Sequence, residues 1–142
     1  MTRVDFYVLK VDTPGDRFKL ACRIAEKARR AGSRVLIHST EDDECRHLDR
    51  LLWTLWDDSF IPHGVLGRDD PALNPILIGD GSTDTEEHQV MINLSLEVPR
   101  FFSRFDRLIE CVDHDQSVKQ AGRERFRYYR EHGYPMQTHD IS

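Results

Sequence analysis

Short apolar runs alternate with helix-like segments along this chain, and that alternation restricts the fold more than any other feature. Residues 4–9 are rich in β-branched and aromatic side chains, and residues 34–38 form a second apolar run. Between them Leu20, Ile24 and Ala28 recur every four residues, the spacing of one helix face. A strand, a helix of about sixteen residues and a strand predict a βαβ unit whose two strands pair in parallel through a right-handed crossover.

Runs of the same kind continue through the rest of the chain, at residues 75–78, 90–94 and 108–112. A second helix is predicted from about residue 41, capped by Ser39 or Thr40, and residues 98–105 are typical of a short helix with an aromatic underside. Five strands interleaved with helices favour an α/β fold, with a Rossmann-like, mostly parallel sheet and helices on both faces.

Length and composition set the broad class. A chain of 142 residues, 39% of them hydrophobic, suits one domain over residues 1–142. No run approaches the roughly 20 apolar residues of a membrane span, and the first residues lack a secretory signal, so we expect a cytoplasmic protein that does not enter a membrane. Cys22, Cys45 and Cys111 lie far apart without a CxxC pair. This spacing indicates neither a disulfide framework nor a zinc site, and we expect buried thiols.

Motifs for catalysis or cofactor binding are missing. GxxxxGK[ST], GxGxxG and GxSxG do not occur, so we predict a sheet that works without a cofactor. Residues 79–84 contain Asp80 and Asp84 but lack the other ligands of a calcium loop, and a hairpin connection is the preferred interpretation. His38, at the end of a predicted strand, is the histidine best placed to bind a ligand. A nucleotide-dependent enzyme on this fold is the alternative hypothesis.

The most distinctive stretch is a predicted basic helix over residues 117–130. At about 100° per residue, one sector of its surface groups cations with an aromatic ring. The residues of this strip are Lys119, Arg123, Phe126 and Arg130, with Arg127 on the flank. Residues 117–131 hold five Lys or Arg against two Glu, a formal charge of +3 in a chain of −5. One positive strip on an acidic protein favours a small acidic partner. Direct binding of single-stranded nucleic acid through this helix is a second alternative, disfavoured by the acidic remainder.

Several blocks of the sequence, in the same order, resemble the chi subunit family of bacterial DNA polymerase III. The specific blocks are Leu-Trp-Thr at residues 52–54, Ser-Phe-Ile-Pro-His at residues 59–63, and the final basic helix. Phe-Tyr-Val-Leu at residues 6–9 matches as well. The likeness extends over nearly the whole chain.

The resemblance implies a non-catalytic accessory protein of the clamp loader. In that family the last helix holds the acidic C-terminal tail of single-stranded DNA-binding protein, in which Asp residues are followed by Ile-Pro-Phe. The matching positions here are Val112, Lys119, Arg123 and Phe126, with Arg127 and Arg130 alongside. Phe126 replaces a tyrosine of the family pattern, and Gly122 lies mid-helix where alanine is expected.

A second surface follows from the same resemblance. Trp53, Phe60 and Pro62 match the positions that hold the psi subunit, which connects chi to the clamp loader. The same surface serves an accessory helicase in the family. Association with DNA is then indirect, through the protein partners.

Overall fold

The computed structural model describes residues 1–55 and 61–142. In this part of the chain seven strands form one sheet, and every pairing between neighbours is parallel. The strands are β1 (Arg3–Leu9), β2 (Val35–His38), β3 (Gly64–Val65), β4 (Ile76–Gly79), β5 (Val90–Asn93), β6 (Arg107–Val112) and β7 (Met136–Ile141). Their order across the sheet is β3-β4-β2-β5-β6-β1-β7.

Within residues 1–55 and 61–142, the α-helices that connect the strands are α1 (Arg17–Arg30), α2 (Asp42–Thr54) and α3 (Gln116–Glu131). Two are capped by aspartates at their first turn. Asp16 accepts a hydrogen bond from the Lys19 backbone N–H, and Asp115 accepts from those of Ser117 and Val118. These caps satisfy donors that the first turn of a helix leaves without a partner.

The helices cover both faces of the sheet, as predicted. Leu20 of α1 and Leu48 of α2 pack in one core cluster with Ile37 and Ile92 of the sheet. On the other face α3 packs through Val118 and Tyr129 against a second cluster that includes strand residues Phe6, Leu36 and Leu108. Successive strand residues point to opposite faces, so nearly continuous apolar strands such as β2 and β4 feed both clusters.

The sheet differs from the sequence prediction in its pairing. β1 and β2 are parallel members of one sheet, but they do not pair, because β5 and β6 lie between them. The sequence also missed β3, which has two residues, and β7, whose sequence Met-Gln-Thr-His-Asp-Ile is largely polar. β7 lies at the edge of the sheet, where a strand can remain polar because one side faces water.

Three local predictions are wrong. The connection over residues 79–84 is not a hairpin, since β4 and β5 pair with opposite sides of β2. Asp80 accepts instead from the Ser82 backbone N–H, and Asp84 pairs with Arg104. The N-cap of α2 is Glu41 rather than Ser39 or Thr40. The short helix predicted at 98–105 is reduced to one 3-10 turn, Phe102–Arg104.

The cysteines and His38 lie in buried or half-buried surroundings. Cys22 and Cys111 are buried, Cys45 is half-buried, and all three are free. Burial raises the pKa of Cys22 to about 12 and that of Cys45 to about 11, so both thiols are protonated at neutral pH. His38 is buried as well, which lowers its pKa. Over residues 1–55 and 61–142, His, Cys, Asp and Glu nowhere gather in threes as a metal would require, and no helix is long and apolar enough to span a membrane.

Candidate protein-binding site

A groove of about 490 Å³ runs between α3 and the strands β6, β1 and β7, and we call it the α3 groove. All six positions predicted for tail binding line it: Val112, Lys119, Arg123, Phe126, Arg127 and Arg130. The sequence did not predict the four others, which are Phe6, Val8, Gly122 and Thr138. Three of these belong to β1 and β7, so the strand order had to be known before they could be placed beside α3.

The floor of the α3 groove is apolar. Phe126 is half-buried, and its ring meets that of buried Phe6 edge to face at 5.4 Å between centroids. Val112 at the end of β6 is 7% exposed. The Arg130 guanidinium lies 5.9 Å from the centre of the Phe126 ring, within reach of a cation–π contact. An aromatic or aliphatic side chain entering the groove therefore meets carbon at its base.

Gly122 brings α3 close to this floor. It is buried, and a Cβ atom at this position would lie 3.2 Å from Cγ2 of Val112. That separation is tighter than an ordinary van der Waals contact, so the missing side chain permits the close approach of the helix to β6. The departure from the expected alanine thus has a packing reason.

The rim of the α3 groove is cationic and available. Arg123, Arg127 and Arg130 are exposed, Lys119 is half-buried, and within the described ranges none of the four forms an ion pair. Arg123 only donates a long hydrogen bond of 3.4 Å to Oε1 of Gln120. Since no salt bridge within the described ranges holds these guanidinium groups, they can bind carboxylates without first breaking one.

Arg125 has the opposite environment from its neighbours on the helix. Its side chain is 4% exposed, and its Nε donates at 3.1 Å to Oε2 of fully buried Glu110. The same oxygen accepts from the Tyr129 hydroxyl at 2.6 Å, and Nδ2 of Asn93 donates to both Glu110 oxygens at 3.1 Å. Burial raises the pKa of Glu110, while the Arg125 charge and these hydrogen bonds oppose the rise. This network joins α3 to the centre of the sheet.

The sequence prediction included Arg125 only in the net charge of the helix and missed its role, although a signal was present. At about 100° per residue, Arg125 lies on the same side of the helix as Val118, Gly122 and Tyr129, which is the buried side. Glu110 likewise interrupts the otherwise apolar run at residues 108–112 of β6. A cation on an apolar helix face and a carboxylate inside a buried strand are each costly to bury alone, so the two together indicate an ion pair.

The second predicted surface lies at the end of α2. Trp53 is 52% exposed, and its ring lies 5.1 Å from the His63 ring between centroids. Pro62, which precedes His63 in the sequence, is exposed as well. His63 is anchored between Asp49, 2.7 Å from its Nε2, and the Ile61 carbonyl, 2.6 Å from its Nδ1. The structure therefore brings Trp53 and the 61–63 segment together. Phe60 lies outside the described residues.

The sequence can now be placed among known proteins. The family model for the DNA polymerase III chi subunit, HolC, matches residues 1–137. This chain belongs to the chi family. The DNA polymerase III subunit chi of Pseudomonas aeruginosa is 42% identical over 141 residues, with 99% of this chain and 98% of that protein covered. The chi subunit of Escherichia coli is 30% identical over 143 residues, with 97% of each covered. Members of this family are accessory subunits of DNA polymerase III in replication.

The fold is shared more widely than the chi family. The crystal structure of T4 UvsW superimposes with a TM-score of 0.69 at 9% identity. The match covers 99% of this chain and 41% of the UvsW chain. Identity at this level shows a common α/β architecture and nothing about activity.

Proposed function

We propose that this protein is a non-catalytic replication adaptor that binds the acidic C-terminal tail of single-stranded DNA-binding protein in the α3 groove. The observation that supports this best is the set of cations on the rim of an apolar groove, which form no ion pair with any described residue. Membership of the chi family adds the replication context.

The geometry accounts for recognition of such a tail. An arginine on the rim, Arg123 first, binds the terminal carboxylate through two N–H donors. Lys119 and the remaining arginines face the aspartates that precede it. Phe126 and Val112 form the floor on which the terminal phenylalanine ring packs. The tail thus needs both its charge and its last side chain.

The adaptor acts in the cytoplasm by tethering. Several tails on DNA-bound protein raise the local concentration of the clamp loader, so a contact of modest affinity is sufficient. The surface that includes Trp53 and Pro62 holds the psi subunit or an accessory helicase. Phe60, which the resemblance also implies for this contact, lies outside the described residues. The two surfaces use different elements, since one is built on α3 and the other on the end of α2.

Calorimetric titration with a synthetic acidic peptide ending in Ile-Pro-Phe tests the proposal. We expect one-to-one binding that weakens as salt is added, and a large loss when the peptide lacks its terminal phenylalanine. A peptide with the same residues in scrambled order is the control for charge alone. Equal affinity for the scrambled and native peptides would contradict the proposed mode of binding.

A further inference from the structure

A second groove with a positive lining lies on the opposite face of the sheet, and we call it the α1 groove. Its volume is about 720 Å³, compared with about 490 Å³ for the α3 groove. Cations reach it from three elements: Arg23 and Lys27 from α1, Arg3 from β1, and Arg107 from β6. Nothing in the function proposed above uses this groove.

The α1 groove carries a net positive charge on an acidic protein, as the α3 groove does. Its lining contains four cations and Asp106, and the buried Asp5 pairs with Arg3 and Arg107, which gives a formal balance of +2 within a chain of −5. Arg23 and Lys27 are exposed and, in the described part of the chain, make no ion pair. Like charges four residues apart on a helix destabilise it. The negative end of the α1 dipole stabilises the positive charge of Lys27, but Arg23, in the middle of the helix, receives no such stabilisation.

The strand side of the α1 groove is held in place from within. Asp5 is 1% exposed and accepts from Nε of Arg107 at 2.6 Å and from Nε of Arg3 at 3.2 Å. Arg107 also donates to the Tyr7 hydroxyl at 2.7 Å, and the Tyr7 ring stacks on His139 at 4.5 Å. The two guanidinium groups are thereby oriented in advance, as a site for an anion requires.

The α1 and α3 grooves lie back to back across the same pair of strands. Phe6 and Thr138 are register partners in β1 and β7 and line the α3 groove. The next register pair is Tyr7 and His139, whose side chains point to the other face, where Tyr7 lines the α1 groove. A short peptide bound in the α3 groove therefore leaves the α1 groove open, so both can be occupied at once.

We propose that the α1 groove binds the phosphate groups of single-stranded DNA. Guanidinium groups fit phosphate oxygens. Arg23 and Lys27 are separated by about 6 Å along the axis of α1, so one DNA strand can contact both. The groove offers no uncovered aromatic floor for a terminal side chain like that of the acidic tail, because Tyr7 is covered by His139 and Arg107. Membership of the chi family connects the protein with a DNA polymerase, an enzyme that copies a single-stranded template. The contact is weak alone, since the whole chain is acidic, and it adds to the tail contact when both ligands belong to one complex.

Fluorescence anisotropy with a labelled oligothymidylate, over a series of salt concentrations, tests this proposal. If Arg3, Arg23 and Lys27 each contact a phosphate, the plot of log affinity against log salt has a slope of about −2. The double variant Arg23→Glu/Lys27→Glu is expected to bind at least about tenfold more weakly and to lose most of that slope. Arg23→Gln/Lys27→Gln should give a smaller loss in the same direction, and circular dichroism checks that both variants are folded.

The matched control is Lys119→Glu/Arg123→Glu, which changes the net charge equally in the α3 groove. We expect it to abolish binding of the acidic tail peptide and to leave the oligonucleotide contact within about twofold of wild type. The variant Arg23→Glu/Lys27→Glu should instead weaken the oligonucleotide contact and keep tail-peptide binding. The proposal would be overturned by no oligonucleotide binding at low salt, by equal loss of oligonucleotide binding in both variants, or by loss of tail-peptide binding in the variant Arg23→Glu/Lys27→Glu. Binding of thymidine monophosphate as tight as that of the oligonucleotide would also overturn it, because the ligand would then be a free nucleotide. Failure of the tail titration alone would count against the α3 groove only.

Discussion

Arg123 and Arg125 are two positions apart on α3 and lie in opposite environments. Arg123 is exposed without an ion-pair partner among the described residues, and Arg125 is buried on Glu110. The first cation is thus available to an incoming ligand, and the second belongs to the core. Substitution at each should therefore affect a different measurement.

Replacing Arg123 by Ala is expected to weaken tail-peptide binding by roughly 1.5–3 kcal/mol, because a charge-assisted hydrogen bond to the terminal carboxylate is lost. The free energy of unfolding should change little, since the side chain is exposed. Calorimetry on the variant measures the first quantity and urea unfolding the second. Arg50→Ala, an exposed position on α2, removes the same charge away from the groove and serves as control. Equal losses at the two positions would reject a carboxylate contact at Arg123.

Replacing Arg125 by Met is expected to destabilise the protein by about 3–5 kcal/mol, because Glu110 keeps its burial and loses its counter-charge. The double variant Glu110→Gln/Arg125→Met should recover part of this loss. Urea unfolding of wild type, both single variants and the double variant completes the cycle. Strictly additive effects would show that the two side chains are not coupled.

At the scale of elements, α3 carries the rim of the α3 groove and is anchored at both ends of its buried face. Asp115 caps its first turn, and Tyr129 near its end is fully buried. Hydrogen bonds from the Ser117 hydroxyl and backbone to Oδ1 of Asp115 hold the cap and lower the Asp115 pKa. The carboxylate is thereby engaged at the helix start and does not compete for Lys119.

Loss of this cap should loosen the first turn, which contains Lys119. For Asp115→Ala we expect the melting temperature to fall by roughly 3 °C and tail affinity to fall modestly. Asp115→Asn keeps a capping side chain and should retain most of the stability. Differential scanning calorimetry compares the two, and an Asn variant as unstable as the Ala variant would argue against a capping role.

Local patterns predicted the elements better than their arrangement. The apolar runs located β2, β4 and β5 because buried strands have a short, continuous hydrophobic signature. They carry no information on pairing, which is set by crossovers between distant segments, so the neighbours of β1 were not foreseen. The helix angle placed the cations of the α3 groove on one face, whereas Val112 came from the family resemblance and Phe6 needed the strand order.

For the whole molecule, Asp5 links three neighbouring strands near one edge of the sheet through charged contacts. The carboxylate is buried on β1 and contacts Arg107 of β6 and His139 of β7. Burial would raise its pKa, but the hydrogen bonds from Arg107 and His139 and the nearby positive charges lower it below the usual 3.8. A lowered pKa in the folded state contributes stability above the unfolded value and loses it as pH falls through the folded value.

The free energy of unfolding should therefore decrease as pH falls below about 4. Asp5→Asn should be less stable than wild type at pH 7 and should show a shallower decrease as pH falls below about 4. Urea unfolding at several pH values measures both curves. Parallel curves for the two proteins would assign the acid sensitivity to other carboxylates.

The buried network of Asn93, Glu110, Arg125 and Tyr129 has a kinetic consequence. Helix α3 cannot tilt away from the sheet without stranding a carboxylate in the interior, so its outer surface keeps its shape before a ligand arrives. The protein therefore loses little conformational entropy when the ligand binds. The association rate should then be set by electrostatically assisted encounter. Variants of the rim that retain their charge should differ mainly in how long the complex lasts.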